Sequence, residues 1–577
     1  MRKITLLFTC NLLSVHIYAQ LHSHFTASGG IIVPAINVGE AYHGVLLGWR
    51  QCQQYMTSSY NWGQLDSKIQ NIQNNLSGVT PWITIQCTNP ITANDTIAGT
   101  CAYNYDHSNG NIDNDASWFP EDSVKWKLFL DALIERYDGD GFQDMPGLLT
   151  PVTRWHIEQE WERVWCSQYT DTSLAKAQEF VLYEKMTYNE IKSKQPNSQI
   201  SFAGLTNHRT SAFYDGYYNQ PTYCLSNCIT DTNLTPSQFI VLYPNFLEKR
   251  RNILYLMRNA LYDELDVHQY GEWNHIAGVV KWLKDSASLG NKPVAFFEGG
   301  GPLCKTCENV YHSANDTDGI LPPPLIRDNA SYIVYYFITG LANGVAHLNW
   351  HVTPEYTNWG NTWGDLDLLS KNYVAKPSLY TYRFLANTIF SNANADTVVR
   401  ITETNQDLYH YRINPLGMDV IWSTNTTDSI TSSGTGQLYQ WNIPTTCDSI
   451  YPTYCDSVVQ QSSVNVSSSY TIHLSNGVPV FYSWNNVLGV EENITSASNI
   501  KIYPNPFSSS TTLRTNNFVH NATLTVYNLY GQQVKQIKNI SGQTITLQRD
   551  NLPSGLYLIR LTQDNKVITA DKLVITD

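Results

Sequence analysis

The sequence predicts an α/β protein whose main unit is a (β/α)8 barrel, followed by an all-β sandwich domain and a smaller C-terminal β domain. From about residue 41 to residue 385, short apolar runs alternate with segments of helical periodicity, which is typical of a parallel sheet. From about residue 397, apolar residues recur with period two between Ser, Thr, Asn and Gly, which predicts antiparallel strands. The 577 residues exceed what a single core supports, so several domains are expected.

The elements of the barrel follow from this alternation. The strand candidates are Trp82–Gln86, Thr153–Glu158, Ile200–Ala203, Leu265–His268, Val294–Phe297 and Val345–Trp350. The helical candidates are Asp122–Tyr137, Ser173–Lys194, Leu247–Tyr262, Ile276–Leu289 and Ala330–Asn343. Counting strands back from the last one leaves room for eight, which predicts a closed barrel.

The start of the chain has the pattern of a secretory signal. Arg2 and Lys3 precede the mostly apolar Ile4–Leu13, and Tyr18–Gln20 offers a small-residue cleavage site. The apolar run is too short to span a bilayer, and no other segment approaches the ~20 apolar residues that a membrane helix needs. We therefore expect an exported chain with no transmembrane segment after signal removal.

We place the domain boundaries where the apolar periodicity changes. The polar stretch 488–499, which contains Ser and Asn, is predicted to be a linker. We divide the chain into a signal (1–20), the barrel (21–390), a β-sandwich accessory domain (391–487), the linker (488–499) and a C-terminal Ig-like β-sandwich (500–577).

Composition and charge exclude one class of partner. The formal net charge is −13, and an acidic chain gains no counterion release from nucleic acid, so DNA and RNA are not expected partners. Aromatic residues reach 12%, with 37 Tyr and 16 Trp. That excess suits a sugar-handling surface, because flat rings stack on pyranoses, and it suits a large β-rich core equally well.

Ten cysteines remain after Cys10 of the signal is set aside. An even number in an exported chain predicts disulfides, although the connectivity stays open. An alternative hypothesis is that four of them bind zinc, namely Cys224, Cys228, Cys304 and Cys307, but no adjacent histidine supports it. The ten are Cys52, Cys87, Cys101, Cys166, Cys224, Cys228, Cys304, Cys307, Cys447 and Cys455.

The last domain resembles a known sorting signal. Lys501–Phe507 (KIYPNPF), Leu524–Asn528 and Leu552–Leu561 (LPSGLYLIRL) resemble the C-terminal sorting domain of type IX-secreted proteins of Bacteroidetes. The resemblance implies recognition by the type IX machinery. It also implies passage through the periplasm to a secreted or outer-surface location.

Two strands of the barrel end in acidic residues. The run Thr153–Glu162 ends in several acids, and Lys292–Gly301 ends in Glu298 followed by three glycines. Catalytic residues of such barrels lie at the carboxyl ends of strands, and a Glu directly after a buried strand is costly without a partner or a role. Glycosidic bonds are cleaved by two carboxyl groups, so a pair at these ends predicts that chemistry. On a regular strand, Glu158, Glu160 and Glu162 would share one face, so the pattern alone does not choose among them.

A family resemblance makes that choice. Residues 61–385 resemble the clan of retaining (β/α)8 glycosidases, and within it the β-xylosidase/α-iduronidase-like family. The segment Trp155–Trp161 aligns with the family's strand-four motif Trp-x-x-x-Asn-Glu-Pro. The alignment implies that Glu160 is the acid/base and that Gln159 stands where the family has Asn. The family's strand seven ends in a Glu nucleophile followed by small residues, which implies that role for Glu298.

The resemblance also implies substrate-binding residues. His268 and Tyr270 match the His-x-Tyr of strand six, and Tyr270 would donate to Glu298. Trp350 matches a sugar-stacking Trp at the end of strand eight, and Trp161 is a second candidate platform. The same pattern also fits core residues at the rim of the barrel for both tryptophans, and a buried core histidine for His268. We expect the Arg50 side chain to hold either the nucleophile or the substrate in place. The chemistry implied is retaining hydrolysis of an oligo- or polysaccharide without a metal or an organic cofactor.

Two departures from the motif keep a second function open. Gln159 replaces the Asn that bonds the sugar 2-hydroxyl, and Trp161 replaces Pro. A catalytically decayed barrel that binds carbohydrate, or acts as an adhesive surface protein, would tolerate both. A peptidase is a third alternative, but the sequence has no His-Glu-x-x-His. Asp138 and Asp140 lie in an Asp-Gly-Asp-Gly run that lacks full EF-hand spacing, so a solvated turn is expected there rather than a Ca²⁺ site.

Overall fold

The structure is a computed structural model of the chain. It describes residues 19–22, 42–75, 79–92, 117–170, 172–206, 245–270, 273–287, 292–300, 323–351, 368, 377–390, 397–425, 427–445, 459–475, 477–485, 500–527, 533–563 and 566–576. The chain divides into two compact units, residues 1–487 and 488–577. Among the described residues, none of the helices combines the length and the apolar character needed to cross a membrane.

Eight parallel strands form the largest sheet of the first unit. They are β1 (Ala19–His22), β2 (Tyr42–Gly48), β3 (Thr80–Gln86), β4 (Arg154–Gln159), β5 (Gln199–Thr206), β6 (Glu264–Tyr270), β7 (Val294–Gly300) and β8 (Val345–His351). The strands pair in the order β1-β8-β7-β6-β5-β4-β3-β2, and β1 also contacts β2. The parallel sheet with helices that the sequence predicts is therefore confirmed, and its strand order fits an α/β barrel.

Helices follow the strands on the outside of the barrel. They are α1 (Trp49–Cys52), α2 (Gly63–Asn75), α3 (Ser123–Tyr137), α4 (Trp161–Val164), α5 (Leu174–Lys194), α6 (Phe246–Asn259), α7 (Ile276–Ala287), α8 (Pro323–Ala342) and α9 (Pro377–Phe384). Asp122 caps α3 by accepting from the backbone N–H groups of Val124 and Lys125, as expected for an acidic N-cap. Helix α8 begins seven residues before the predicted start, because prolines fit the first turn of a helix.

Strand β1 overlaps the predicted signal. Ala19 and Gln20 pair with Leu348 and Asn349 of β8, so the barrel begins before residue 21 in this structure. Cleavage at the predicted site would leave only the end of β1 on the mature chain. The signal and its boundary stay a prediction.

The inside of the barrel is polar for much of its depth. Trp82, Ala295 and Phe297 form a small apolar cluster inside the barrel, whereas the neighbouring strand residues Ile83 and Ile85 belong to the large core beneath the helices. Below the site described next, Arg154 donates to Glu264 at 2.6 Å. Buried charges of this kind are stable only when they are paired.

The Arg154–Glu264 pair is part of a larger buried cluster. Ser201 donates to the same Glu264 oxygen at 3.0 Å, and His347 bonds the other. Burial alone would raise the pKa of Glu264, but His347 and Arg154 outweigh it and lower the pKa to about 2. These side chains fasten β4, β5, β6 and β8 together across the barrel axis.

The accessory domain is antiparallel and consists of two sheets with a core between them. Its strands are β9 (Val398–Ile401), β10 (Leu408–Ile413), β11 (Met418–Ser423), β12 (Thr427–Ser433), β13 (Gly436–Asn442), β14 (Gln460–Val466), β15 (Ser469–Ser475) and β16 (Val480–Ser483). The six-stranded sheet has the order β14-β13-β16-β11-β10-β9, and β12 pairs with β15.

Aromatic rings join the accessory domain to the barrel. Trp273, which follows β6, lies 4.6 Å from Tyr409 and 5.4 Å from Trp422 between ring centroids. Tyr335 of α8 packs against the same Trp273 in a tilted arrangement, with ring centroids 5.2 Å apart, and donates to the carbonyl of Gly477. Each aromatic pair contributes about 0.5–1.5 kcal/mol beyond its buried area, so the two domains are firmly attached.

The second unit is a five-stranded antiparallel domain with its own core. Its strands are β17 (Ile500–Tyr503), β18 (Ser510–Tyr527), β19 (Gln533–Gln548), β20 (Gly555–Gln563) and β21 (Lys566–Ile575). The long β18 pairs with β17 and β20 on one side and with β19 on the other. Arg549 ties the end of β19 to the C-terminus by donating to the carbonyl of Thr576 at 2.9 Å.

The cysteine prediction needs a correction. Cys52 and Cys87 are free thiols, and both are buried in the barrel core. Burial raises the pKa of Cys52 to about 12, so this thiol stays protonated. Cys166 is disulfide-bonded. The other seven cysteines, and with them the alternative zinc site, lie outside the described residues.

Candidate functional site

Three side chains meet at the carboxyl ends of β4, β6 and β7. His268 Nδ1 lies 3.0 Å from Glu160 Oε1 and 3.4 Å from Glu298 Oε2. One carboxylate oxygen from each Glu and one ring nitrogen of His268 lie within 4.8 Å of one another. All three residues are buried. The structure thus brings the two predicted carboxylates together around a histidine.

The backbone at the end of β4 explains how Glu160 reaches this position. Glu160 has φ 46° and ψ 57°, in the left-handed region, and it immediately precedes helix α4. Glu158 also has a positive φ, 65°. Such conformations cost a non-glycine residue about 1–3 kcal/mol and persist only where the surroundings hold them. They also break the alternation of a regular strand, so the expectation that Glu158 and Glu160 share one face is wrong.

Glu158 lies in a different environment from Glu160. The backbone N–H of Cys87 donates to Glu158 Oε1 at 2.6 Å, and the hydroxyls of Ser117 and Tyr183 lie close by. Burial raises the pKa of Glu158 to about 7, and these three donors only partly offset that effect. Glu158 therefore belongs to the barrel wall, and Glu160 to the carboxylate pair.

This placement of Glu158 predicts a pH-dependent stability. Its pKa rises from 4.5 to about 7 on folding, so the folded state binds the proton more tightly. The free energy of unfolding should fall by about 3 kcal/mol as the pH rises from 4.5 to 7, at about 1.4 kcal/mol per unit. Glu158→Gln removes this contribution and keeps an oxygen for the Cys87 N–H. Calorimetric melting of the variant at pH 5 and pH 8 should show a weaker pH dependence than wild type.

Glu248→Gln, which changes an exposed acid on α6, is the control and should keep the wild-type dependence. An equal pH dependence in Glu158→Gln and wild type would contradict the buried, protonatable Glu158.

His268 is held from two further sides. Its Nε2 lies 3.5 Å from Asp266 Oδ2, and Asp266 is itself fixed by the backbone N–H of Phe297 at 2.9 Å. Gly204 of β5 leaves room for the ring, since a Cβ there would lie 1.9 Å from His268 Nε2. Burial opposes a charged imidazole, but Glu298, Asp266 and Glu160 outweigh it and raise the pKa of His268 well above its usual value. The direction of this shift favours an imidazolium, whose two N–H groups would face carboxylates.

Gln159 contacts one member of the pair. Its amide Nε2 donates to Glu298 Oε2 at 3.2 Å, across the barrel between β4 and β7. Gln159 is buried and pairs with Gly204 in the sheet. The amide of Gln159 is thus directed at the carboxylate of Glu298.

Two other predicted residues lie near the same end of the barrel. Tyr270 is the last residue of β6 and pairs with Gly300, but its side chain lies outside the described part of the structure. Arg50 donates from Nε to the carbonyl of Asn89 at 2.8 Å and lies 5.6 Å from the ring of Trp118. Arg50 is therefore anchored at the ends of β2 and β3, and none of its described contacts is to Glu160 or Glu298.

The two tryptophans predicted as sugar platforms are packed as core residues. Trp350 is fully buried and lies against Tyr336 of α8, with ring centroids 5.7 Å apart, because alternation on β8 directs its neighbour Asn349 into the barrel instead. Trp161 packs against Phe180 of α5 at 5.9 Å. A sugar needs a free ring face, so neither residue is kept as a platform.

Two clusters of ligand-type side chains occur among the described residues. Asp138, Asp140 and Asp144 accept backbone N–H groups of their own loop, which fits the expected solvated turn. Glu160, His268 and Glu298 have the donor types for a cation. The same arrangement of atoms also allows His268 Nδ1 to donate a proton to either carboxylate.

Asp266 and Gly204 were missed by the sequence reasoning. Asp266, His268 and Tyr270 share parity on β6, and this pattern could have placed Asp266 beside His268. Gly204 gives no comparable signal, because the contact with His268 depends on the register between β5 and β6, which shifts between Phe202 and Leu205.

The C-terminal unit has a recognisable family. Residues 501–576 match the family described as the secretion system C-terminal sorting domain. This unit is a type IX sorting domain. The resemblance predicted from the sequence is confirmed, and the chain is an exported protein, either secreted or held at the cell surface.

A curated relative is similar to this chain over a short segment only. An endo-acting ulvan lyase of Formosa agariphila is 32% identical over 89 residues, which cover 15% of this chain and 17% of that protein. The chain thus matches about a sixth of the length of that curated relative.

Among solved structures, a family 39 glycoside hydrolase from Bacteroides cellulosilyticus superposes with a TM-score of 0.46 at 11% identity, covering 78% of this chain and 77% of that one. A bacterial orthologue of human α-L-iduronidase superposes with a TM-score of 0.43 at 11% identity, covering 92% and 91%. The barrel assignment rests on the strand order given above rather than on these likenesses.

Proposed function

We propose that the barrel is a retaining glycoside hydrolase that cleaves an oligo- or polysaccharide outside the cell. Glu298 is the nucleophile and Glu160 is the acid/base. One observation carries the proposal: two buried carboxylates meet at the carboxyl ends of β4 and β7, with oxygens within 4.8 Å of each other. Retaining enzymes place these groups about 5–5.5 Å apart, whereas inverting enzymes leave about 6.5–9.5 Å for a water molecule.

The reaction follows from this spacing in two steps. The proton shared by His268 Nδ1 and Glu160 passes through Glu160 to the glycosidic oxygen while Glu298 attacks the anomeric carbon. The C–O bond breaks, a glycosyl ester forms on Glu298, and His268 is left neutral. Water then attacks the same carbon, its proton passes through Glu160 back to His268, and the ester bond breaks. Two inversions at one carbon give net retention.

The surrounding residues support these roles. The amide of Gln159 donates to Glu298, which favours its ionised form. The imidazolium of His268 lies between the two acids and lowers the cost of holding them close together. We also retain Tyr270 as a donor to Glu298 and Arg50 as a residue at the rim of the site.

Gly204 gives a direct test of the required packing. In Gly204→Ala the new Cβ would lie 1.9 Å from His268 Nε2, so the ring must move. A shift of about 1 Å near the reacting groups lowers rates on the order of 100-fold. We expect kcat to fall by about that factor, with an unchanged circular dichroism spectrum.

The matched control is Gly63→Ala at the start of α2, where the new Cβ has an ordinary 3.4 Å contact with Asn61 and wild-type turnover is expected. Wild-type turnover in Gly204→Ala as well would show that the position of His268 does not matter.

The first experiment is a substrate screen. Secreted wild-type protein and Glu298→Gln are incubated with aryl glycosides and with plant, algal and microbial polysaccharides, and reducing ends are measured. Hydrolysis by wild type that is lost in the variant supports the proposal. Wild type that is inactive towards every glycan of a broad panel contradicts it.

A sugar-binding surface protein is the second candidate. The observation that favours it is the bond between Gln159 and Glu298, because an amide held by the carboxylate is less free to bond a sugar hydroxyl. This function predicts glycan binding in wild type without turnover, and equal binding in Glu298→Gln. Isothermal titration with the same polysaccharides separates the two functions.

A further inference from the structure

We infer that Asp266 is a positioning residue that keeps His268 doubly protonated between Glu160 and Glu298, and thereby sets the upper pH limit of the site. The inference rests on the proposed function only for its effect on turnover. Its structural part concerns the protonation of His268 and can be measured in a protein with or without hydrolytic activity.

The geometry gives each nitrogen of His268 an acidic partner. Nδ1 faces Glu160 Oε1 at 3.0 Å and Glu298 Oε2 at 3.4 Å, and Nε2 faces Asp266 Oδ2 at 3.5 Å. A neutral imidazole has one N–H and one lone pair, so it would turn a lone pair towards a carboxylate on one side. Only the doubly protonated ring donates in both directions.

Asp266 is built to hold that orientation. Its Oδ1 accepts the backbone N–H of Phe297 at 2.9 Å, which leaves Oδ2 directed at His268. Asp266 is buried, so water screens its charge only weakly. Gly204 leaves the space beside Nε2 that the ring occupies, because a Cβ there would lie 1.9 Å from that nitrogen.

The other titratable groups near His268 come from the ends of three strands and from helix α8. Glu160 and His156 belong to the β4 region, Glu264 and Asp266 to β6, and Glu298 to β7. His156 is close enough that a positive charge on it would repel His268. Burial and Arg154 lower the pKa of His156 well below its usual value, which favours the neutral form of His156. Tyr336 of α8 is kept neutral by burial next to Asp266 and Glu298. Of His156, Tyr336 and His268, His268 is therefore the group whose surroundings favour a positive charge.

Asp266→Asn removes the charge and keeps the contacts. The amide oxygen still accepts from Phe297, and the amide N–H then points at Nε2, which favours a neutral ring with its proton on Nδ1. An opposite charge at this distance raises a pKa by about 1–3 units. The His268 titration should therefore move to lower pH by about 1 unit or more. The raised pKa keeps the wild-type ring charged up to a higher pH, so the lower pKa of the variant should move the alkaline limb of kcat to lower pH as well.

The experiment measures both quantities in the full-length protein. Histidine Cε1 is labelled with ¹³C, the His268 signal is assigned with His268→Gln, and the titration midpoint is recorded for wild type and Asp266→Asn. Asp263→Asn, which removes a charge just before the start of β6, is the control and should leave the His268 midpoint in place.

The outcomes separate the two claims. A lower His268 midpoint in Asp266→Asn supports the inference, and a parallel shift of the alkaline limb of kcat links it to turnover. An unchanged midpoint, or an unchanged limb in a protein that hydrolyses glycans, overturns it. A wild-type protein without hydrolysis at any pH, together with a lowered midpoint in the variant, contradicts the proposed function and leaves the role of Asp266 intact.

Discussion

Glu298→Gln is expected to lower kcat roughly 10⁴-fold or more, the scale seen when a catalytic residue is removed from other hydrolases. The amide is nearly the same size as the carboxylate, but it has no negative charge with which to attack the anomeric carbon. The fold should survive, because the amide still accepts from Gln159 in a site already rich in hydrogen-bonding groups. Initial rates on the best substrate from the screen measure the loss, and melting temperature checks the fold.

Glu158→Gln is the matched control for the loss of a buried acid in the same part of the barrel. Glu158 bonds to Cys87 and has no described contact with Glu298, so turnover should stay close to wild type. If Glu158→Gln lost activity and Glu298→Gln kept it, the carboxylate pair would have been assigned to the wrong residues.

Glu160→Ala is expected to affect substrates according to their leaving group. Without a general acid, turnover of glycans and alkyl glycosides should fall by about 10²–10⁴-fold. The leaving group of a dinitrophenyl glycoside needs no protonation, so the glycosyl-enzyme should still form on Glu298. This intermediate should then accumulate, because the variant has no base to activate water for the second step. Azide should restore turnover of these substrates, because it attacks the intermediate without losing a proton.

The product of azide rescue is informative in itself. A glycosyl azide with the configuration of the substrate is expected from Glu160→Ala, and no rescue is expected in Glu298→Gln. Uniform loss on all substrates, without rescue, would mean that Glu160 acts in binding rather than in proton transfer.

The sequence was sufficient for the architecture because its signals are local. Alternating apolar runs and amphipathic helices predicted the strand positions of β3 to β8 to within a few residues. The acid at the end of β7 was visible for the same reason, since Glu298 directly follows four apolar residues. The period-two pattern after residue 397 likewise predicted the antiparallel strands found there.

The errors arose where side-chain direction depends on backbone conformation or on distant packing. Glu158 and Glu160 both adopt positive φ, so a parity rule for regular strands fails at the point where it was most needed. Trp350 looked like a platform, but β8 turns it towards α8. His268 was expected to line the sugar site. Its position between two carboxylates depends on the register of β5, β6 and β7, and this register shifts at irregularities that cannot be predicted from the local sequence.

The most direct test of the carboxylate pair is covalent trapping. Wild type, Glu298→Gln and Glu158→Gln are incubated with a panel of 2-deoxy-2-fluoroglycosides, and intact mass and peptide mapping follow. We expect one glycosyl adduct per chain, on Glu298, in wild type and Glu158→Gln and none in Glu298→Gln. A wild-type protein that hydrolyses glycans with inverted products and forms no adduct, or an adduct on a different residue, would contradict the two-carboxylate retaining site.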